Sequence, residues 1–143
     1  MPNPLTVQAY KDWSSSCELL ADSLSRYQSF DAAKKYTPVE LEFYDSLSFR
    51  YTKSLETAFY FFRSLESELI GQPSEFLRDQ LLRMEKLGIV GNTDAWMDAR
   101  RLRNKITHSY DPDELQEIFT HLVIYSRQII DAVSLSQVHL LSK

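Results

Sequence analysis

The sequence predicts an all-α protein, an antiparallel up-and-down four-helix bundle with one additional short helix. Three observations carry that expectation. Apolar residues recur at alternating steps of three and four along most of the chain, which is helical periodicity. Prolines and capping residues divide that pattern into five segments. Only 3 glycines interrupt the 143 residues, and neither an alternating strand pattern nor an internal repeat is present. The length is that of a single domain, residues 1–143, whose 43% apolar content supplies a core without disulfide or metal staples.

Each element has its own justification. In the first segment Tyr10, Trp13, Cys17, Leu20, Leu24 and Tyr27 form one stripe, and the helix is expected to end near "SFDAAKKY". In "TPVE", Thr37 is placed to cap, Pro38 fits the first helical position, and Glu40 completes a capping box. From there Tyr44, Leu47, Tyr51, Leu55, Ala58, Phe62, Leu65 and Leu69 keep near-heptad spacing. Gly71 and Pro73 then stop a helix of roughly 45–50 Å. The aromatics of "FYFF" are expected in the core, with any excess available to a dimer interface.

A third helix is expected over about 74–87, with Leu77, Leu81 and Met84 inward and Gly88 as its stop. Asn92 or Thr93 caps a fourth. Asp111, Pro112 and Glu114 repeat the capping-box pattern before a fifth, which buries Leu115, Ile118, Leu122, Tyr125, Ile129 and Val133. The last few residues are expected to fray.

Composition narrows the function classes. The single Cys17 has no internal disulfide partner, which fits a cytoplasmic protein. "MPNPLTVQAYKDW" lacks the basic and apolar regions of a signal peptide. The densest apolar stretch, "TAFYFF", is too short to span a bilayer, so no membrane role is expected. His121 and His139 have no cysteine or carboxylate at a metal-ligand spacing, and no glycine-rich phosphate loop occurs, so neither metal nor cofactor is expected. A net charge of −4 argues against a general nucleic-acid binder, but Arg100, Arg101, Arg103 and Lys105 form a local basic patch.

That patch lies in "RLRNKITHSYDPDE", where chemistry-bearing residues concentrate. At about 100° per residue, Ala95, Ala99, Leu102 and Ile106 make a narrow core stripe. Arg103 and Trp96 fall together on one flank of it. Asn104 and His108 share a face with Arg101 and Met97, away from the core, and His108 occupies the last turn, where the helix dipole favours imidazolium. Arg103 and His108 are five residues apart, about 140° around a regular helix, so one unbroken helix does not aim them at one point. Either the helix loosens at its end, before Pro112, or a second copy brings its own motif against this one. A two-fold groove of two arginines and two histidines suits a phosphodiester: arginine binds phosphate and developing charge, and histidine moves a proton near neutral pH. A basic last turn is also what favourable dipole placement on a solvated face produces.

"RNKITHSY" resembles the signature of HEPN domains: an arginine, four residues, a histidine, and a tyrosine two further on. Here those are Arg103, His108 and Tyr110, with Asn104 in the polar position after the arginine. The context "AWMDARRLRNKITHSYD", with Trp96 and Met97 ahead of the arginine, is similar to the branch called nucleotidyltransferase substrate-binding proteins. "LSFRYTKSLETAFYFFRSLES" also resembles that branch's second helix, diffusely.

The resemblance implies a bundle that forms a homodimer with its two motifs facing each other, and a minimal nucleotidyltransferase as partner. In toxin members the arginine and histidine cut RNA without a metal, by attack of the ribose 2′-hydroxyl on the adjacent phosphate. The nucleotidyltransferase then acts as antitoxin by AMPylation of the motif tyrosine. Carried over, Arg103 holds phosphate, His108 is acid or base, Asn104 orients the site, and Tyr110 is the modification site. Arg100, Arg101 and Lys105 are expected to bind RNA phosphates. The alternative is a non-catalytic substrate-binding subunit of a two-component minimal nucleotidyltransferase.

Overall fold

The computed structural model describes residues 2–141, and every regular element among them is a helix. In chain order these are α1 (Pro4–Ser25), α2 (Pro38–Ile70), α3 (Leu77–Lys86), α4 (Thr93–Ile106), α5 (Pro112–Ser136) and α6 (Val138–Leu141). The all-α class is therefore observed. With 33 residues α2 is the longest helix, and it packs against α1, α3, α4 and α5, most extensively against α1.

Local chemistry explains where the helices begin. Asn3 caps α1 by accepting from the Leu5 N–H at 2.8 Å, and Pro4 opens the helix. At α2 the capping box forms as its sequence predicts. The Glu40 N–H donates to Thr37 Oγ1 at 3.2 Å, and the Thr37 N–H donates to Glu40 Oε1 at 3.0 Å. The Lys34 ammonium lies 2.8 Å from the same carboxylate, and these partners hold the Glu40 carboxyl down to about 2. Gly71, at φ 89°, closes α2 in the left-handed region that glycine adopts without a Cβ penalty.

The core forms where α1, α2, α4 and α5 meet. Trp13 stacks on Phe61 at 5.4 Å and meets Phe62 edge-on at 5.5 Å, and Trp96 joins Phe62 at 5.3 Å. All four rings are buried. Of "FYFF", Phe61 and Phe62 are core, Phe59 is partly buried, and Tyr60 is 59% exposed. A second aromatic cluster joins Phe30, Tyr36, Tyr44 and Phe119.

Several boundaries differ from their sequence expectation. Helix α1 ends at Ser25, before "SFDAAKKY", because Phe30 turns inward and stacks on Tyr36 at 4.7 Å. Helix α3 starts at Leu77 rather than near 74, because the buried Glu66 carboxylate accepts from both the Ser74 N–H and the Ser74 hydroxyl. Leu69, expected in the stripe of α2, is 37% exposed. Asp111 makes no side-chain cap for α5, and the Glu114 carboxylate, expected to complete the capping box, accepts from the Ser109 hydroxyl at 2.7 Å instead. Residues expected to fray include the short α6, where His139 Nε2 donates to the Leu87 carbonyl at 2.9 Å. Residues 142 and 143 of that tail lie outside the described residues. Among the described residues no helix is long and apolar enough to cross a membrane.

Two outcomes test this account. Phe62→Ala empties the middle of the aromatic cluster and is expected to cost about 3–5 kcal/mol of stability, read by urea denaturation. The depressed Glu40 carboxyl stabilises the fold above its ordinary value of 4.5, and that contribution disappears as pH falls through about 2. Wild type and Glu40→Gln should therefore differ most at neutral pH and low salt, and their melting temperatures should converge in acid.

Candidate functional site

Helix α4 is held at its start and in its middle before any of its functional side chains is considered. Asn92 Oδ1 accepts from the Ala95 N–H at 3.1 Å, and Glu85 takes the Thr93 hydroxyl. Asp94 in the first turn and Arg103 and Lys105 in the last turn complement the helix dipole, and Arg78 ties Asp94 to α3 at 2.8 Å. In the middle, the fully buried Tyr51 of α2 donates its hydroxyl to the Ala99 carbonyl at 2.7 Å. Burial pushes the Tyr51 phenol well above its ordinary value, Tyr125 adds to this, and the Arg103 guanidinium opposes it. The hydroxyl thus stays protonated and remains a donor.

The inward face of α4 is rotated from the expected one. Thr93, Trp96, Ala99 and Leu102 are buried, whereas Ala95 and Ile106 are only partly so. Trp96, expected on a flank, is core at 2% exposure because its ring fits against Phe62 and Phe59 of α2. Met97, expected well away from the core, packs partly against it.

This rotation divides the cations into two groups. Arg103 leans toward α2, with its side chain 22% exposed, Nη1 3.8 Å from Glu56 Oε1, and Nη2 donating to Asn104 Oδ1 at 3.3 Å. Arg100, on the same side, lines a cleft with Glu56, Phe59 and Tyr60. Arg101 and Lys105 face α5 instead, around a groove of about 240 Å³ floored by Leu102 and Ile118 and walled by Glu117, His121 and Tyr125. Arg101 is also paired with Asp98. The basic run that reads as one patch is two, on opposite sides of the helix.

The motif continues on a turn. Helix α4 stops at Ile106, and the His108 N–H closes a turn by donating to the Lys105 carbonyl at 3.0 Å. The Ser109 hydroxyl lies within hydrogen-bond distance of both the Lys105 carbonyl and Glu114, bracing the turn from α5. His108 is exposed, as its position in the sequence predicts, and Tyr110 presents its ring to solvent at 85% exposure. The helix thus loosens before His108, one of the two arrangements left open by the spacing. Even so, among the described residues no hydrogen bond or ion pair joins Arg103 to His108, and Arg103 is engaged by Glu56 and Asn104. Asn104 is exposed beside it.

Two participants escaped sequence reasoning. Glu56 sits on the outer face of α2, where one glutamate is indistinguishable from other surface charge until α4 is docked. Tyr51 lies on the apolar stripe, and its polar tip on an otherwise apolar face was the available signal. Compared with protein-family models, curated proteins and solved structures, the chain matches none.

Tyr51→Phe is expected to leave the fold intact and lower stability by about 1 kcal/mol, the usual worth of one buried hydrogen bond. Chemical denaturation followed by circular dichroism measures it, and an unchanged midpoint contradicts the bond to Ala99.

Proposed function

We propose that this chain is a HEPN toxin, a metal-independent endoribonuclease that a partner minimal nucleotidyltransferase neutralises by AMPylation of Tyr110. The observation that carries the reading is the arrangement of its motif. Arg103 is half-buried and aimed by its neighbours, while His108 and Tyr110 stand exposed on the turn just beyond the same helix. In this reading α1, α2, α4 and α5 form an antiparallel up-and-down four-helix bundle, with α3 as the additional helix, and the protein works in the cytoplasm as a homodimer.

The chemistry requires no group beyond the side chains and the RNA. Arg103 binds the scissile phosphate and stabilises the charge that grows on its oxygens in the transition state. The ribose 2′-oxygen attacks phosphorus as its proton passes to an imidazole, and the 5′-oxygen leaves after receiving a proton. Two copies of His108 across the two-fold axis divide those roles, and Asn104 orients the guanidinium. Arg100, Arg101 and Lys105 contact flanking phosphates. An AMP on Tyr110 places a bulky anion two residues from His108, where it competes with RNA phosphate for the cations and obstructs the groove.

A second reading has its own support. Arg103 is neutralised by Glu56, and the other cations are divided between two sides of α4. Both features suit a non-catalytic subunit that presents substrate to a separate nucleotidyltransferase.

Expression without the partner should arrest growth and fragment cellular RNA for the wild type, and do neither for His108→Ala or Arg103→Ala. Equal growth and equal RNA profiles in all three leave the subunit reading. With the partner present, mass spectrometry should find AMP on Tyr110, none on Tyr110→Phe, and cleavage falling as the label rises. A fully labelled protein that still cuts RNA contradicts the neutralisation step.

A further inference from the structure

We infer that the cleft bounded by α2, α3 and α4 is a binding site for single-stranded RNA, which stacks a base on Tyr60 and Phe76 and sets its phosphates on Arg63 and Arg100. The choice of RNA rests on the function proposed above. The site itself rests on Tyr60, Phe76 and Arg63, which that function does not use, together with Arg100, which it places on a flanking phosphate. The cleft, of about 560 Å³, falls within the usual ligand-pocket range of roughly 300–1,000 Å³. Tyr60 is 59% exposed and Phe76 is 64% exposed, so two rings from different elements stand in water around one hollow. Single exposed aromatics are ordinary, but two converging beside unpaired arginines are what a stacking platform requires.

Charge supports the same occupant. Among the described residues neither Arg63 nor Arg100 forms an ion pair, whereas Glu56 on the cleft wall is already engaged by Arg103. Counting Arg103, three guanidiniums meet the carboxylates of Glu56 and Glu75, a local positive excess on a chain of net charge −4. Arg100 and Arg103 are one turn apart on α4, so the cleft leads directly to the motif arginine. Tyr60 and Arg63 also border a second hollow of about 270 Å³ beside the start of α1, which makes them a ridge that a strand can cross. Bases must be unstacked from one another to lie on protein rings, hence a single strand and not a duplex.

The wall carrying Phe76 is held in place. Glu66 is fully buried, its carboxylate accepts from the Ser74 N–H and hydroxyl, and Arg83 Nε lies 3.4 Å away. A carboxylate buried on α2 costs desolvation, and it needs the partners it has here. Its effect is to fix residues 71–76 as an ordered wall instead of a first turn of α3.

The test uses the full chain carrying His108→Ala, so that bound RNA is not cut, and a fluorescein-labelled single-stranded RNA of about 12 nucleotides. Fluorescence anisotropy should show Tyr60→Ala and Phe76→Ala each weakening binding roughly tenfold, the scale of one lost base stack. Arg63→Gln and Arg100→Gln should each reduce the salt slope by roughly one. A duplex of the same sequence should be insensitive to the aromatic changes. Because both rings are exposed, the variants should keep the parent's melting temperature, which is measured alongside. No binding by the parent, or unchanged affinity in the aromatic variants, overturns the inference. So does loss of a protein partner or of self-association with RNA affinity intact, which assigns the cleft to protein. Outcomes for the two proposals separate cleanly. RNA held through Tyr60 but never cut by the wild type sinks the ribonuclease and keeps this site, whereas normal cutting by Tyr60→Ala and Phe76→Ala does the reverse.

Discussion

The rotation of α4 about its own axis depends on one contact, Trp96 against Phe62. Trp96 is buried at 2%, with its ring 5.3 Å from Phe62 and 6.4 Å from Phe59. Large rings contribute the most apolar area per residue, so turning this one outward is the costliest rearrangement open to the helix. Seven residues later on an α-helix is about 20° from the same direction, which carries Arg103 to the α2 side. Once Trp96 is seated, Arg100 and Arg103 look toward α2 and α3, while Arg101 and Lys105 look toward α5. The Tyr51 hydroxyl on Ala99 fastens the same rotation from the middle of the helix.

The second constraint is where α4 stops. Thr107 and His108 form a turn, and Pro112 opens α5 only a few residues later. Glu114 is recruited to Ser109 and not to the end of its own helix, so the short connection is braced from α5. A braced turn of few residues presents His108 and Tyr110 outward without burying either. Helix-borne Arg103 and turn-borne His108 are therefore oriented by different parts of the fold, and only something bridging α2 and the turn can engage both.

Charge also acts locally and not through the total. A chain of net charge −4 repels polyanions at long range, but beyond roughly 8 Å at physiological salt such fields are screened. On one side of α4 stands a set of arginines backed by apolar and aromatic surface. On the other side the groove alternates Arg101 and Lys105 with Asp98, Glu114 and Glu117, and offers no such excess.

What the sequence by itself determined were the features written in local chemistry. The all-α class, the capping box at Thr37 and Glu40, the glycine stop at Gly71 and the exposure of His108 all follow from residues within a turn or two of one another. Hydrophobic period and cap geometry are short-range physics, so one strand of text suffices. Tertiary structure decided the rest. Whether Trp96 is flank or core depends on the rings α2 offers it, and Glu114 abandoned a plausible cap because Ser109 came within reach. Glu66 looks like surface charge until Ser74 folds back on it, and the cleft of Tyr60, Phe76 and Arg100 joins three helices that no spacing rule connects. A period gives directions around one axis, but the rotation of that axis against its neighbours is set by which side chains fill the space between them.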